Sequence, residues 1–195
     1  MSEILVNTIK KADGTGGLTV PTTAGNIVTT GGATFTGAVT GTDLTLSGGV
    51  YLGGTGSANK LSDYEEGTFT PTAVGSSTAG TTTYGTQSGT YTKVGQLVTV
   101  NANIYFTGAT GTGPMIMGGL PFAADNSDSD SYNIGSVMTY NLNLSSGVKS
   151  IAVQVSPSET HATIFQTQDD TAWEAPAIEN GTVIIRYTIS YRTSA

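Results

Sequence analysis

The chain has 195 residues and a net charge of −7, from 14 acidic and 7 basic residues, and it contains no cysteine. The missing cysteines exclude disulfides and thiolate metal sites, and the few Lys and Arg residues argue against duplex nucleic acid as a partner, because neutralising phosphates requires clustered cations. No stretch approaches the roughly 20 apolar residues that a membrane span needs, so no membrane partner is predicted.

Residues 1–60, called the stem here, are neutral and rich in small residues. Glycine and threonine each supply 13 of these sixty positions, and the charges are three acidic and three basic. No helical period is present, whereas stretches such as Thr34–Thr36 and Asp43–Ser47 alternate apolar with polar residues, which is typical of short strands. The sequence therefore predicts an extended β-stem.

The stem has few apolar residues for its length. They are too few to offset the entropy lost on ordering sixty backbone units, so we expect the stem to become ordered only against copies of itself or along another protein. A flexible linker is the alternative, although a solvated linker needs no large apolar side chains. The residues expected to contact other chains are Ile4, Val6, Ile9, Phe35, Leu44, Leu46 and Leu52.

Residues 61–195, called the knob here, alternate more regularly. Gln96–Phe106 and Thr182–Arg192 each place apolar residues on one face and mainly polar residues on the other, as half-buried strands do. Weaker strands are predicted at Thr68–Val74, Thr90–Val94, Met115–Leu120, Tyr132–Leu144, Val148–Ser156 and Thr160–Gln166. About seven to nine short strands without a helix predict an all-β knob, an antiparallel β-sandwich of jelly-roll type.

Two stretches of the knob resemble a module of known proteins. The sequence YEEGTFTPT, followed by SGTYTKVGQLVTVNANIYFTG, resembles a module at the distal end of tail fibres and other virion appendages of tailed bacteriophages. The matching residues are Glu66, Gly67, Phe69, Pro71, Tyr91, Lys93, Val94 and Gly95. The N-terminal EILVNTIKKADGTGG is similar to the leader of such appendages.

The resemblance implies a structural protein on the virion surface, usually a homotrimer, with its leader fixed to the major capsid or tail protein and its knob outward. The short stem favours a cement or head-fibre protein that decorates the capsid over a long tail fibre. The alternative is a tail fibre or receptor-binding tip that recognises a host glycan.

The segment TQDDTAWEAP carries the predicted glycan contacts. Trp173, the single tryptophan, can stack on a sugar, with Asp169 and Asp170 beside it; the alternative is a loop anchor packed against the sandwich. Together with Glu174, Asp169 and Asp170 could supply the pair of carboxylates that a glycosidase needs. Proximity in sequence, however, does not place two carboxylates on either side of a glycosidic bond. We therefore predict no enzymatic activity.

Other polar residues do not form known sites. His161, the only histidine, lies in a predicted strand, and no Gly-x-Ser-x-Gly elbow accompanies it. An EF-hand register starting at Asp125 places Asp130 where glycine is required and Ser136 where the bidentate Glu is required. Asp125, Asp128 and Asp130 are thus predicted to form a solvated loop, with a calcium loop of another type as the alternative.

The glycine-rich stretch Gly108–Gly113 has no phosphate-binding signature. It lacks the Lys-Ser/Thr pair of a P-loop and does not open a helix. We predict that it is a hairpin turn, and we predict no cofactor, metal or catalytic residue in the chain.

Overall fold

The computed structural model of the chain describes residues 38–41, 43–46, 48–61, 63–127 and 132–194. Within these residues the only helical segment is the short 3-10 turn Ser57–Asn59, and everything else is strand, turn or irregular. The all-β prediction is therefore confirmed for the described residues. Contacts divide the chain between Thr45 and Leu46, and every described strand lies in the second unit.

Strands occupy most of the described chain beyond Leu61. In chain order the strands are β1 (Val50–Tyr51), β2 (Lys60–Leu61), β3 (Tyr64–Phe69), β4 (Thr72–Gly75), β5 (Thr83–Val94), β6 (Leu97–Thr107), β7 (Met115–Gly118), β8 (Asn133–Tyr140), β9 (Ser150–Val155), β10 (Ala162–Thr167) and β11 (Val183–Arg192). β1 pairs with β2 alone, and the other nine form one antiparallel sheet in the order β3-β5-β6-β11-β8-β9-β10-β7-β4.

The strongest predicted strands, now β6 and β11, agree with the structure to within one residue at each end. The single predicted strand Thr68–Val74 is wrong, because β3 and β4 are separated at Thr70–Pro71. Proline has no N–H to give to a ladder and interrupts it. The freed Pro71 carbonyl accepts a hydrogen bond from the side-chain amide of Gln87 at 3.0 Å.

Strand β8 exchanges partners along its length. Asn133–Gly135 pairs with β9, whereas the residues from Ser136 to Tyr140 pair with β11 on the other side. The sheet therefore consists of two halves, β3-β5-β6-β11 and β9-β10-β7-β4, joined through β8. This curl produces a β-sandwich-like fold.

Side chains from both halves form one core. On β6 and β11 the inward positions are buried, as the alternation in Gln96–Phe106 and Thr182–Arg192 predicts. The largest fully buried side chains are Tyr191, Phe106, Ile104, Met115, Met117, Ile164 and Ile185, with the polar Gln166 among them. The two halves are thus held face to face by apolar burial.

The stretch Gly108–Gly113 is not the predicted hairpin turn. It connects β6 to β7, which are not neighbours in the sheet, so it crosses from one half to the other. Along the way Thr110 donates its N–H to Thr81 at 2.9 Å, and Thr112 exchanges backbone hydrogen bonds with Thr78. Turn-forming residues indicate where a strand ends, but they do not specify which strand follows.

Candidate contact surfaces

Most of the residues on which the resemblance noted in the sequence rests lie on β3 and β5. Gly67 lies directly opposite Tyr91, and Phe69 lies opposite Gly89. The Tyr91 hydroxyl donates to the Glu65 carboxylate, and this hydrogen bond, followed by burial, raises the pKa of Tyr91. Each glycine leaves room for the aromatic ring across the strand pair. The motif therefore stabilises the first strand pair of the knob.

A buried lysine holds the start of the knob. Lys93 is 5% exposed, and its amino group contacts the carboxylate of Asp63, one residue before β3 begins. The same amino group lies 5.5 Å from the centre of the Phe122 ring, and the Tyr91 and Phe122 rings meet edge to face at 5.5 Å. A cation near an aromatic face is attracted by the ring quadrupole. These contacts fix the chain at the start of β3 against β5 and Phe122.

The apolar residues of the stem that the structure describes are all exposed. Among the predicted contact residues, Leu44 is 73% exposed, and Leu46 and Leu52 are exposed as well. Val39, Val50 and Tyr51 share this exposure. Ile4, Val6, Ile9 and Phe35 lie outside the described residues. No described stem residue is buried by its own chain.

An apolar strip follows the outer face of β8. Tyr132, Ile134, Met138 and Tyr140 alternate with inward-facing residues, and each exposes more than half of its surface. Ile184 of β11 lies opposite Tyr140 in the sheet register and widens the strip. The sequence predicted this strand, but alternation alone cannot say which of its two faces meets the core.

Trp173 lies at the edge of a groove next to this strip. The groove has a volume of about 190 Å³, and its lining is almost entirely apolar, with Ile134, Ala152, Phe165 and Trp173 contributing to it. The Trp173 ring meets the Phe165 ring edge-on at 6.5 Å and is 70% exposed. A tryptophan this exposed does not anchor a loop by burial.

Asp169 and Asp170 do not line that groove. Both are exposed in the turn that follows β10, and Asp170 has a positive φ of 55°. Short polar residues tolerate this left-handed conformation, so Asp170 has a local role in the turn. Trp173 therefore lines the groove and the two carboxylates do not, although they are neighbours in sequence.

A polar network centred on the buried Gln166 reaches Glu174, the exposed residue next to Trp173. Gln166 donates its side-chain amide to the Ser145 hydroxyl at 2.7 Å and to the Glu174 carboxylate at 2.9 Å, and its carbonyl accepts from the Ser145 N–H at 3.0 Å. The backbones of Gln166 and Glu174 also exchange two hydrogen bonds. Every side-chain group of Gln166 is satisfied, so the residue next to Trp173 is held rigidly.

A shallow depression lies near the apolar strip, and both polar and apolar residues line it. Its volume is about 510 Å³, and it lies on the outer face of β5, β6, β11 and β8, where Asn101, Asn103, Thr188 and Arg186 contribute to it. Arg186 donates through Nε to the side-chain Oδ1 of Asn103 at 3.3 Å, so this guanidinium contacts the neighbouring strand β6. The depression borders the apolar strip at Met138.

The remaining sequence candidates form no site among the described residues. The His161 ring nitrogen lies 3.0 Å from the Glu159 carboxylate at the edge of β10. Asp125 accepts hydrogen bonds from the hydroxyl and N–H of Ser127, which hold its pKa below the usual value. Asp128 and Asp130 lie outside the described residues. The described residues contain no group of three or more metal-ligating side chains.

Comparisons with known proteins identify no relative. No protein-family model, curated protein or solved structure matches the chain. No helix in the part of the chain that the structure describes is long and apolar enough to span a membrane.

Proposed function

We propose that this chain is a structural protein of a tailed-phage virion, a short homotrimeric appendage that decorates and stabilises the capsid. Its stem docks on the major capsid protein, and its β-sandwich knob faces outward. The resemblance of residues 64–72 and 88–108 to phage appendages supports this class of protein. The exposed apolar side chains of the stem favour an assembly role over a monomeric one.

The exposure of Leu44, Leu46 and Leu52 is the observation that carries the proposal. Large apolar side chains that remain in solvent gain no burial free energy, so they do not offset the entropy lost when an extended segment becomes ordered. The same side chains become favourable contacts when a neighbouring polypeptide covers them. Several large apolar side chains left exposed within a short stretch of sequence favour such an interaction.

Light scattering after size-exclusion chromatography of the full chain tests the proposal. A mass of three chains is expected, and the triple variant Leu44→Ser, Leu46→Ser, Leu52→Ser is expected to lower it. Thr40→Ser, also in the stem, is the matched control and should keep the native mass. A stable monomer at micromolar concentration would contradict the proposal. Antibody labelling of intact particles, viewed by electron microscopy, would show whether the protein is attached to the capsid or to the tail.

A second function is favoured by Trp173. An exposed tryptophan, backed by Phe165 and positioned by a satisfied network at Gln166, is a rigid apolar platform. Sugar rings stack on such platforms through their apolar faces. The alternative proposal is therefore a receptor-binding tip that holds a host glycan against Trp173.

Binding to a glycan array and to host cells tests this alternative. Trp173→Ala is expected to abolish binding, whereas Tyr64→Ala, which removes an exposed aromatic ring from β3, is expected to leave it unchanged. Equal binding by both variants, or no binding by the native protein, would leave the capsid role as the only proposal.

A further inference from the structure

The sheet has free strand edges that differ in how they are protected. The terminal strand β3 carries the exposed carboxylates of Glu65 and Glu66, which oppose pairing with another strand. The other terminal strand, β4, is only four residues long. The N–H of Ala73 in β4 donates to the Tyr84 hydroxyl at 2.8 Å, and its carbonyl accepts from Thr82 at 2.8 Å. Both terminal strands are therefore protected against pairing with a strand of another chain.

The free edge of β8 has no such protection. Beyond Gly135, β9 no longer pairs with β8, and among the described residues no group bonds to the edge of Ser136–Tyr140 that faces away from β11. This segment reads SVMTY and contains no charge and no proline. Its outer face carries Met138 and Tyr140, both more than half exposed. An uncharged, apolar free edge is the arrangement that accepts an added strand.

We propose that the stem segment Asp43–Leu46 of a neighbouring copy of this chain adds as a strand to the free edge of β8. This inference rests on the proposed homo-oligomer and specifies its contact. Backbone hydrogen bonds would satisfy the open edge of Ser136–Tyr140. Leu44 and Leu46 are two residues apart, so both side chains of an added strand lie on one face, where they cover Met138 and Tyr140.

Charge favours the stem over a second knob as the occupant of this edge. The stem carries three basic and three acidic residues, so the whole net charge of −7 belongs to the knob. Pairing β8 with β8 of another copy would bring two acidic knobs together, which electrostatic repulsion opposes. The stem is neutral as a whole, and its segment Asp43–Leu46 brings only the single carboxylate of Asp43 to this edge, so it meets less repulsion than a second acidic knob would.

The absence of cysteine allows a direct cross-linking test in the full chain. Leu44→Cys combined with Met138→Cys places two thiols on the same face of the proposed strand pair, at a spacing that a disulfide can bridge. Mild oxidation is expected to yield covalent species of two and three chains on a denaturing gel. Leu44→Cys combined with Thr92→Cys, on the distant strand β5, is the matched control and should remain mainly monomeric.

The possible outcomes separate this inference from the proposed function. Covalent dimers from Met138→Cys alone would overturn the stem strand in favour of β8 pairing with itself. A trimer by light scattering without any Leu44–Met138 cross-link between chains would overturn the inference and leave the proposed function standing. A monomer by light scattering would overturn both.

A charge placed on the free edge gives a second test that does not depend on cross-linking. Met138→Lys is expected to weaken association about tenfold or more, since a charged side chain on a strand edge opposes pairing with another strand. Thr92 is also exposed, on the distant strand β5, and Thr92→Lys is expected to keep the native association. Unchanged circular dichroism of both variants shows that the knob remains folded. Equal association of the two variants would overturn the inference.

Discussion

The amino group of Lys93 contacts the carboxylate of Asp63, and the two side chains differ in exposure. The Lys93 side chain is 6% exposed, whereas that of Asp63 is 50% exposed. The stability of the knob is therefore expected to depend on which partner of the pair is removed. Removing Asp63 leaves a buried ammonium without its anion, whereas removing Lys93 leaves a carboxylate that water can solvate.

Asp63→Asn is therefore expected to lower the free energy of unfolding by about 1–3 kcal/mol. Asparagine keeps the size of the side chain and tolerates the positive φ of 61° at this position, so the change removes charge alone. Lys93→Met keeps an unbranched apolar side chain at this position. It is expected to lower the free energy of unfolding by less than Asp63→Asn does. Urea unfolding followed by circular dichroism measures both, and a larger loss for Lys93→Met would contradict this account.

Gly89→Ala is expected to destabilise the knob by about 1–3 kcal/mol through overpacking. A Cβ atom at Gly89 would lie 2.5 Å from Cε1 of the Phe69 ring, which packs across the β3–β5 pair. Gly181→Ala meets no atom within 4 Å and is the matched control, expected to be close to neutral. Thermal unfolding of the two variants tests the prediction. Equal melting temperatures would show that the ring moves aside without cost.

Two buried tyrosines of β11 are expected to respond in opposite directions to loss of the hydroxyl. Tyr191 donates to the Phe122 carbonyl at 3.0 Å, whereas the buried Tyr187 hydroxyl has no partner among the described residues. Tyr191→Phe should lower stability by about 1 kcal/mol, and Tyr187→Phe should leave it unchanged or raise it by a similar amount. A destabilised Tyr187→Phe variant in urea unfolding would contradict this assignment.

Stability is expected to fall between pH 10 and pH 12. Burial raises the pKa of Tyr191 from 10.0 to about 12, and burial also raises that of Tyr187. The folded state therefore favours the neutral phenol, and the stability this provides is present below pH 10 and is lost as the pH rises through 12. Urea midpoints across this range measure the loss, which Tyr191→Phe should reduce. Titration of every tyrosine near pH 10 in the folded protein would contradict the prediction.

The alternation of Gln96–Phe106 and Thr182–Arg192 was sufficient to predict β6, β11 and their buried faces, because a strand with one face in the core must alternate with period two. The same local signal predicted an all-β knob. The exposure of Leu44 agrees with the shortage of apolar partners in the stem sequence. These features depend only on residues close together in the chain.

Tertiary structure alone decided the features that depend on distant residues. Asp63 and Lys93 are thirty positions apart, and only the β3–β5 register brings them together. Alternation in β8 could not assign Met138 to solvent, because each strand has two faces and its neighbours determine which one is covered. The free edge at Ser136–Tyr140 arises because β8 changes partners at Gly135, and partner choice is a property of the whole sheet rather than of any one segment.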